Sequence, residues 1–514
     1  MKTQFLLKII FLMSLSLHAQ AAYKFSDFMR SLTIEKENVV TEVPDINSFY
    51  RVKSLQEAAQ ISQKQTYPQM LSQEVKPSVL NENLIQGLIQ KKLITVVIVP
   101  GLLGEFIDTR AFEEVFARSS TFKNQWALAM SRTKMTDLRF NLENKKYEPI
   151  SIAELIDAAS IDDKNGKPLI KLIILKTKLG SLESIGDNVE KAAVFNSRLQ
   201  KYFEITQDEN MIMLGYSRGT PLALEMVTQA ETLKLSYLSH VNAVVSYAGV
   251  ILGSSLADVT DDMNTDSGKL FAAAKKLLGR LQTSEDIFDR PFKYVNNSAA
   301  VAEFLSALAI NSKFDFDSFL KTSMSGDFKT VAMLIAKIAV KLGFTSLSDF
   351  NGHVLRVKTF IAEILKSVDG LKTKNSVVWW QTHTLPRNIK YLSISAAMVD
   401  PVKSSIEKQI YDSKIGYNET LDDDSLQGNR RAYEKATGFA LNDSQVALHQ
   451  SQFLPTLIEN LNSKNKDLQI ESLGLLQTHH WGVSLRVVNA MKDGRVNPFP
   501  REKVLLSLAA YLNQ

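Results

Sequence analysis

The sequence predicts an α/β fold, a mostly parallel sheet with flanking helices and a helical insertion, and three observations carry that prediction. Apolar runs rich in β-branched residues recur at Leu93 to Val99, Leu169 to Leu175, Val241 to Tyr247 and Tyr391 to Ser395. Their apolar residues are continuous rather than alternating, which marks strands buried on both faces. Between the second run and Met211, the segment Asn188 to Phe203 has the apolar spacing of a helix, so the order there is strand, helix, strand. The third observation is Gly215-Tyr216-Ser217-Arg218-Gly219, where the apolar run Met211 to Leu214 passes into the helix-like Pro221-Leu222-Ala223-Leu224-Glu225-Met226-Val227.

That pentapeptide has the pattern of a nucleophile elbow in its proper setting, a sharp turn between a strand and a helix. The turn presents a serine hydroxyl on an exposed corner, within reach of a base on one side and a carbonyl on the other. Strand and helix backbones nearly touch there, so only small residues fit two positions before and two after the serine. Gly215 and Gly219 supply both.

Composition narrows the function classes. The chain has 514 residues, 45% of them hydrophobic and 22% charged, an ordinary globular balance with ample length for a large core. A net charge of +5, without a basic stripe interleaved with aromatics, does not suggest a nucleic-acid partner. There is no cysteine, which excludes disulfides, thiolate metal sites, a thiol nucleophile and a lipid-modified cysteine. Lys2 and Lys8 flank a short n-region, Ile9 to Leu17 is mostly apolar, and Ala19-Gln20-Ala21 gives small-x-small. Residues 1–21 therefore read as a cleaved signal peptide, and the protein is expected to be exported, either periplasmic or secreted.

Residues 22–92 look helical and polar, with loops near Val43-Pro44-Asp45 and Tyr67-Pro68, and are expected to pack on the outside of the main domain. Residues 93–258 hold the first part of the sheet and residues 377–514 the second. Between them, 259–376 has no good strand, and Leu270-Phe271, Ala274, Leu277-Leu278 and Val331 to Leu342 have helical spacing with interspersed lysines. A helical cap over the C-terminal edge of the sheet is expected, either simply packed there or meeting lipid surfaces.

An activated serine needs a base, an acid to orient it and donors for the oxyanion. Val99-Pro100-Gly101-Leu102-Leu103-Gly104 follows the first buried strand, and the N–H of Leu102, with Leu103 as the alternative, is the expected donor from that loop. The second donor is the N–H of Arg218, at the positive end of the elbow helix.

These residues, with Tyr247-Ala248-Gly249-Val250-Ile251-Leu252-Gly253-Ser254-Ser255-Leu256-Ala257-Asp258, Asn442-Asp443-Ser444-Gln445-Val446 and His479-His480-Trp481-Gly482-Val483, resemble the lipase branch of the α/β-hydrolases. The resemblance covers roughly Ile94 to Asp258 and Tyr391 to Val488. It implies an α/β-hydrolase fold and an acid from an Asn-Asp-Gly-x-Val pattern, in which Ser444 here replaces the usual glycine. Pro100-Gly101 replaces the commoner His-Gly and is similar to phospholipase and acyltransferase relatives.

Chain order Ser, then Asp or Glu, then His leaves His479 and His480 as bases. His18 leaves with the signal peptide, His240 and His353 precede any suitable acid, His383 precedes the strand Tyr391 to Ser395, and His449 sits too near Asp443. The run after His480 resembles the family's and favours it over His479. Asp443, expected after a strand in a turn, is the acid, with Asp400 of Met398-Val399-Asp400-Pro401 as its rival. Asp422-Asp423-Asp424 lacks the ligand spacing of a calcium loop and reads as a solvated acidic turn. No phosphate loop, dinucleotide fingerprint or zinc motif is present, so no cofactor is expected.

The function expected from the sequence is an exported serine hydrolase cleaving lipid or other apolar carboxylic esters through an acyl-enzyme, with Ser217, His480 and Asp443 reacting and Leu102 and Arg218 holding the oxyanion. Acyl transfer to an alcohol, and a non-catalytic protein that keeps the fold as a binding surface, are the other readings. The expected partners are a small-molecule or lipid ester and, transiently, a lipid interface. Oligomeric state is not written in any motif.

Overall fold

The apolar runs form the middle of one sheet. In the computed structural model of the chain, residues 52–63, 93–101, 136–141, 146–151, 156–162, 165–175, 185–264, 268, 271–272, 275, 362–397, 423–477, 480, 483 and 501–513 are described. The strands are β1 (Ile94–Val99), β2 (Thr136–Asn141), β3 (Lys146–Ser151), β4 (Ile156–Asp162), β5 (Pro168–Leu175), β6 (Met211–Tyr216), β7 (Val241–Tyr247), β8 (Lys390–Ala397) and β9 (Gln469–Gln477). Seven of them lie in the order β4-β5-β1-β6-β7-β8-β9, and β2 pairs with β3 in a separate antiparallel hairpin. Every neighbour in the large sheet is parallel except the edge pair β4 and β5. The fold is therefore the α/β class that the sequence predicts.

Four strands were not legible in the apolar pattern: both strands of the β2–β3 hairpin and, in the large sheet, β4 and β9. β4 contains Ala-Ala-Ser and lies at the edge of the sheet, paired with β5. β9 begins Gln-Ile-Glu-Ser, so the first half reads as polar, although Leu473, Leu475 and Leu476 are buried in its second half. β9 matters most, because it leads directly to His480.

The helices are α1 (Leu55–Gln63), α2 (Asn188–Thr206), α3 (Gly219–Leu233), α4 (Thr373–Thr382), α5 (Asp423–Thr437), α6 (Pro455–Leu461) and α7 (Arg501–Leu512). Helix α2 starts where it does because the Asp187 carboxylate accepts from the N–H groups of Val189 and Glu190, at 2.8 and 3.3 Å. Ala192, Phe195, Leu199, Tyr202 and Phe203 recur at three- and four-residue steps and are buried. α3 packs against α2, β6 and β7. Because β5 lies on one side of β1 and β6 on the other, the strand order reverses at β1. In open α/β sheets, the crevice at the carboxyl ends beside such a reversal is where ligands bind.

α1 packs one face inward, with Ala58 and Ser62 fully buried, Ser62 Oγ 2.9 Å from His449 Nδ1 and the Ser62 carbonyl accepting from Leu441 N–H at 3.0 Å, while Gln56, Glu57, Gln60 and Gln63 are exposed; the rest of residues 22–92 lies outside the described residues except 52–54. Two expectations are corrected. Asp423 and Asp424 open α5 rather than forming a turn, a place where the positive end of the helix favours acidic residues. Asp443 follows a helix, α5, rather than a strand, and sits in a turn closed by a bridge between Asn442 and Ala447.

Most of the expected insertion, Val331 to Leu342 included, lies outside the described residues, as do residues 1–21. Within it, residues 362–370 are helical. Its two ends meet: Ser254 N–H donates to the Leu371 carbonyl at 2.7 Å, the Asp258 carboxylate accepts from Thr373 N–H at 2.9 Å and Oγ1 at 2.5 Å, and Lys372 pairs with Asp261 at 2.6 Å. No helix among the described residues is long and apolar enough to cross a membrane.

The burial of His449 makes stability depend on pH. Burial pushes the His449 imidazole down to about 3, against 6.5 for an exposed ring. Between those values the unfolded chain binds the proton and the folded chain does not, so stability is full above pH 6.5 and falls as pH drops toward 3. At pH 5 the loss from this one ring is on the order of 2 kcal/mol. Urea unfolding at pH 7.5 and pH 5 is expected to show it, with the difference shrinking by that amount in His449→Gln.

Candidate active site

The elbow is built by close contact. Ser217 follows β6 and precedes α3 with φ of 55°, in the left-handed region that costs a side-chain-bearing residue roughly 1–2 kcal/mol. A Cβ on Gly215 would stand 2.5 Å from the Thr220 Cα, and one on Gly219 would run into the Val99 carbonyl oxygen at the end of β1. Thr220 closes the turn, its hydroxyl donating to the Gly215 carbonyl at 2.7 Å. Tyr247 accepts from Ser217 N–H at 3.4 Å, and Val250 N–H donates to the Ser217 carbonyl at 3.1 Å. The elbow is thus tied to the end of β7 as well. Ser217 itself is half-buried.

His480 lies just beyond the end of β9. Its Nε2 is 2.8 Å from Ser217 Oγ and its Nδ1 is 2.8 Å from Asp443 Oδ2. A carboxylate only accepts, so the neutral ring carries its proton on Nδ1 and leaves Nε2 to accept from the serine hydroxyl. The main chains meet too, with His480 N–H donating to the Asp443 carbonyl at 2.8 Å. His480 is 2% exposed and Asp443 is fully buried.

A buried carboxylate needs partners for each oxygen. Asp443 Oδ1 accepts from the N–H groups of Gln445 and Val446, at 2.9 and 2.7 Å, and Oδ2 faces His480. The turn that delivers those N–H groups is shaped by Asn442, whose Oδ1 accepts from Ser444 N–H at 2.9 Å, and by Ser444 in the left-handed region with φ of 80°. This is why glycine suits position 444. The Ser444 hydroxyl is buried and has no hydrogen-bond partner among the described residues.

Arg218 caps α3 and its side chain is buried, donating through Nη2 to the Gly186 carbonyl at 2.6 Å. Gly186 N–H in turn donates to Ser367 Oγ at 2.5 Å, which links the elbow to the helical residues 362–370. Leu102 and Leu103, the donors expected from the loop after β1, lie outside the described residues, as do Asp400 and His479. Pro100 and Gly101 end β1 beside Gly219.

The remaining described histidines are elsewhere. His240 packs on Phe203, His383 stacks on Trp379, and His449 sits between Ser62 and Phe439. Among the described residues there is no group of three or more side chains that could hold a metal ion. The sequence did not single out Tyr216 or Tyr247, whose hydroxyls reach the histidine loop. Their signal was partly present, since Tyr247 ends a run read as a strand and Tyr216 stands between the apolar run Met211 to Leu214 and Ser217.

Several solved structures are similar to this chain at low identity. The crystal structure of the metagenomic carboxyl esterase MGS0156 matches with a TM-score of 0.37 and 15% identity, over 82% of this chain and 75% of that one. The crystal structure of Bacillus licheniformis lipase BlEst2 in its mature form matches with a TM-score of 0.33 and 11% identity, over 76% and 85%. No protein-family model and no curated protein matches the chain.

Ser444→Gly is expected to stabilise the protein by about 1 kcal/mol, since it relieves the left-handed conformation and removes an unpaired hydroxyl. A thermal melt of the two proteins side by side measures this as a rise in midpoint.

Proposed function

We propose that the protein is a serine hydrolase of the α/β-hydrolase type that cleaves carboxylic esters, with lipids or other apolar acyl esters as substrates, outside the cytoplasm. The single observation that carries this reading is His480 standing 2.8 Å from both Ser217 Oγ and Asp443 Oδ2, with the acid buried and its other oxygen satisfied. A half-exposed hydroxyl facing the free nitrogen of an oriented imidazole is the arrangement that makes serine nucleophilic. The composition of the N-terminal 21 residues supports the export.

Ser217 Oγ attacks the ester carbonyl carbon while its proton passes to His480 Nε2. The carbonyl oxygen becomes an oxyanion, held by the N–H groups of Arg218 and Leu102. The tetrahedral intermediate collapses, the bond to the leaving alkoxide breaks, and His480 returns its proton to that oxygen. The acyl group is then on Ser217. Water repeats the sequence, giving its proton to His480, adding to the acyl carbon and releasing the carboxylic acid with Ser217 reprotonated. Asp443 holds the ring in its tautomer and faces the imidazolium in both steps. The Arg218 N–H lies at the start of α3, where the helix dipole adds to the hydrogen bond. No group beyond the chain's own residues and water is used.

A fluorophosphonate probe and p-nitrophenyl esters of graded acyl length test the proposal on the purified full chain. The wild type is expected to label and to turn over ester, and Ser217→Ala to do neither. Asp443→Asn is expected to lower kcat by about 10⁴, because an amide favours the wrong tautomer. A folded wild type that neither labels nor hydrolyses any of the esters overturns the reading.

A further inference from the structure

We infer that Tyr216 and Tyr247 are positioning residues for His480, their hydroxyls holding the main chain at His480 and at Val483 against the carboxyl edge of the sheet. The consequence for turnover rests on the function proposed above; the positioning itself does not.

The two tyrosines are the last residues of β6 and β7 and are paired in the parallel register. Their rings are 6.5 Å apart and both are buried. Tyr216 Oη donates to the His480 carbonyl at 2.8 Å, and Tyr247 Oη donates to the Val483 carbonyl at 3.0 Å. His480 and Val483 are therefore each held from one of two adjacent strand ends.

His480 belongs to neither a helix nor a strand, so no ladder of main-chain hydrogen bonds orients it. Its N–H is satisfied by Asp443 and its carbonyl by Tyr216. The Tyr216 ring also lies along the imidazole, with centroids 5.2 Å apart and planes at 30°. One side chain thus fixes both the backbone and the ring plane of the residue that reaches Ser217. A buried carbonyl that loses a donor costs up to about 1–3 kcal/mol, enough to shift the residue that carries it. Displacing a reacting group by about 1 Å costs up to about 10² in rate.

The test compares Tyr216→Phe and Tyr247→Phe with Tyr237→Phe, which removes another buried tyrosine hydroxyl, one donating to Asn196 Oδ1 at 2.6 Å away from the site. Two readouts are taken. The first is the pair of imidazole ¹⁵N shifts of His480 at fixed pH in the resting protein. The second is kcat and KM on a p-nitrophenyl ester.

Tyr216→Phe is expected to move the His480 shifts toward values averaged over both tautomers and to lower kcat about tenfold with KM within about twofold. Tyr247→Phe is expected to act in the same sense by about threefold, and Tyr237→Phe to leave both readouts at wild type. If Tyr216→Phe and Tyr247→Phe lower only the melting midpoint, with shifts and kcat unchanged, the tyrosines are core packing and the inference is overturned. Should Tyr216→Phe fail to fold, Tyr247→Phe decides by the same readouts. A wild type without ester turnover overturns the proposed function alone, because the ¹⁵N shifts still read the positioning.

Discussion

The close approach of three backbones at the elbow is the constraint on which the rest depends. β6 must turn into α3 within two residues while α3 begins against the end of β1. Gly215 and Gly219 permit that contact, Thr220 locks it, and Ser217 takes the left-handed conformation that results. The hydroxyl is placed by the sheet rather than by its own loop. Since the sheet is buried on both faces through β1, β6 and β7, the placement is as rigid as the core.

Asp443 and His480 have no such scaffold and are held by hydrogen bonds instead. Asp443 sits in a turn made by Asn442 and by the N–H groups of Gln445 and Val446, and it holds His480 through both side chain and main chain. The same turn region is tied to the rest of the molecule by Gln450, whose carbonyl accepts from Ile251 and Leu252 and whose side chain reaches Ser255 and Thr373. Ser255, just before the 259–376 region, and Thr373, near its end, are therefore tied to the segment that carries Asp443. Low dielectric makes such a network strong when complete and costly when one member is removed.

How much of this was legible in the sequence follows from the kind of interaction involved. The central strands and the elbow were readable, because continuous apolar runs and paired glycines are local signals. Ser217, Asp443 and His480 emerged as candidates from motif and chain order, but the choice of His480 over His479 rested on a resemblance and not on spacing. β9 escaped because its first half is polar, and the inward face of α1 was not marked by apolar spacing because Ala58 and Ser62 are small residues on a polar helix. The roles of Tyr216 and Tyr247 depend on a register between strands that only the assembled sheet displays. Glycine's absence at 444 was visible as a departure, whereas its physical meaning needed the φ of 80°.

The contact of Ser62 with His449 joins residues 387 positions apart, and that of Ser217 with His480 joins residues 263 apart. Loops of that length close slowly relative to local structure, since their ordering entropy is lost before the contacts form. A ribosome making this chain will have released the elbow, its strand and its helix long before the base exists to meet them. The serine is therefore made well before the histidine it meets, and their contact can form only after residue 480 has been added.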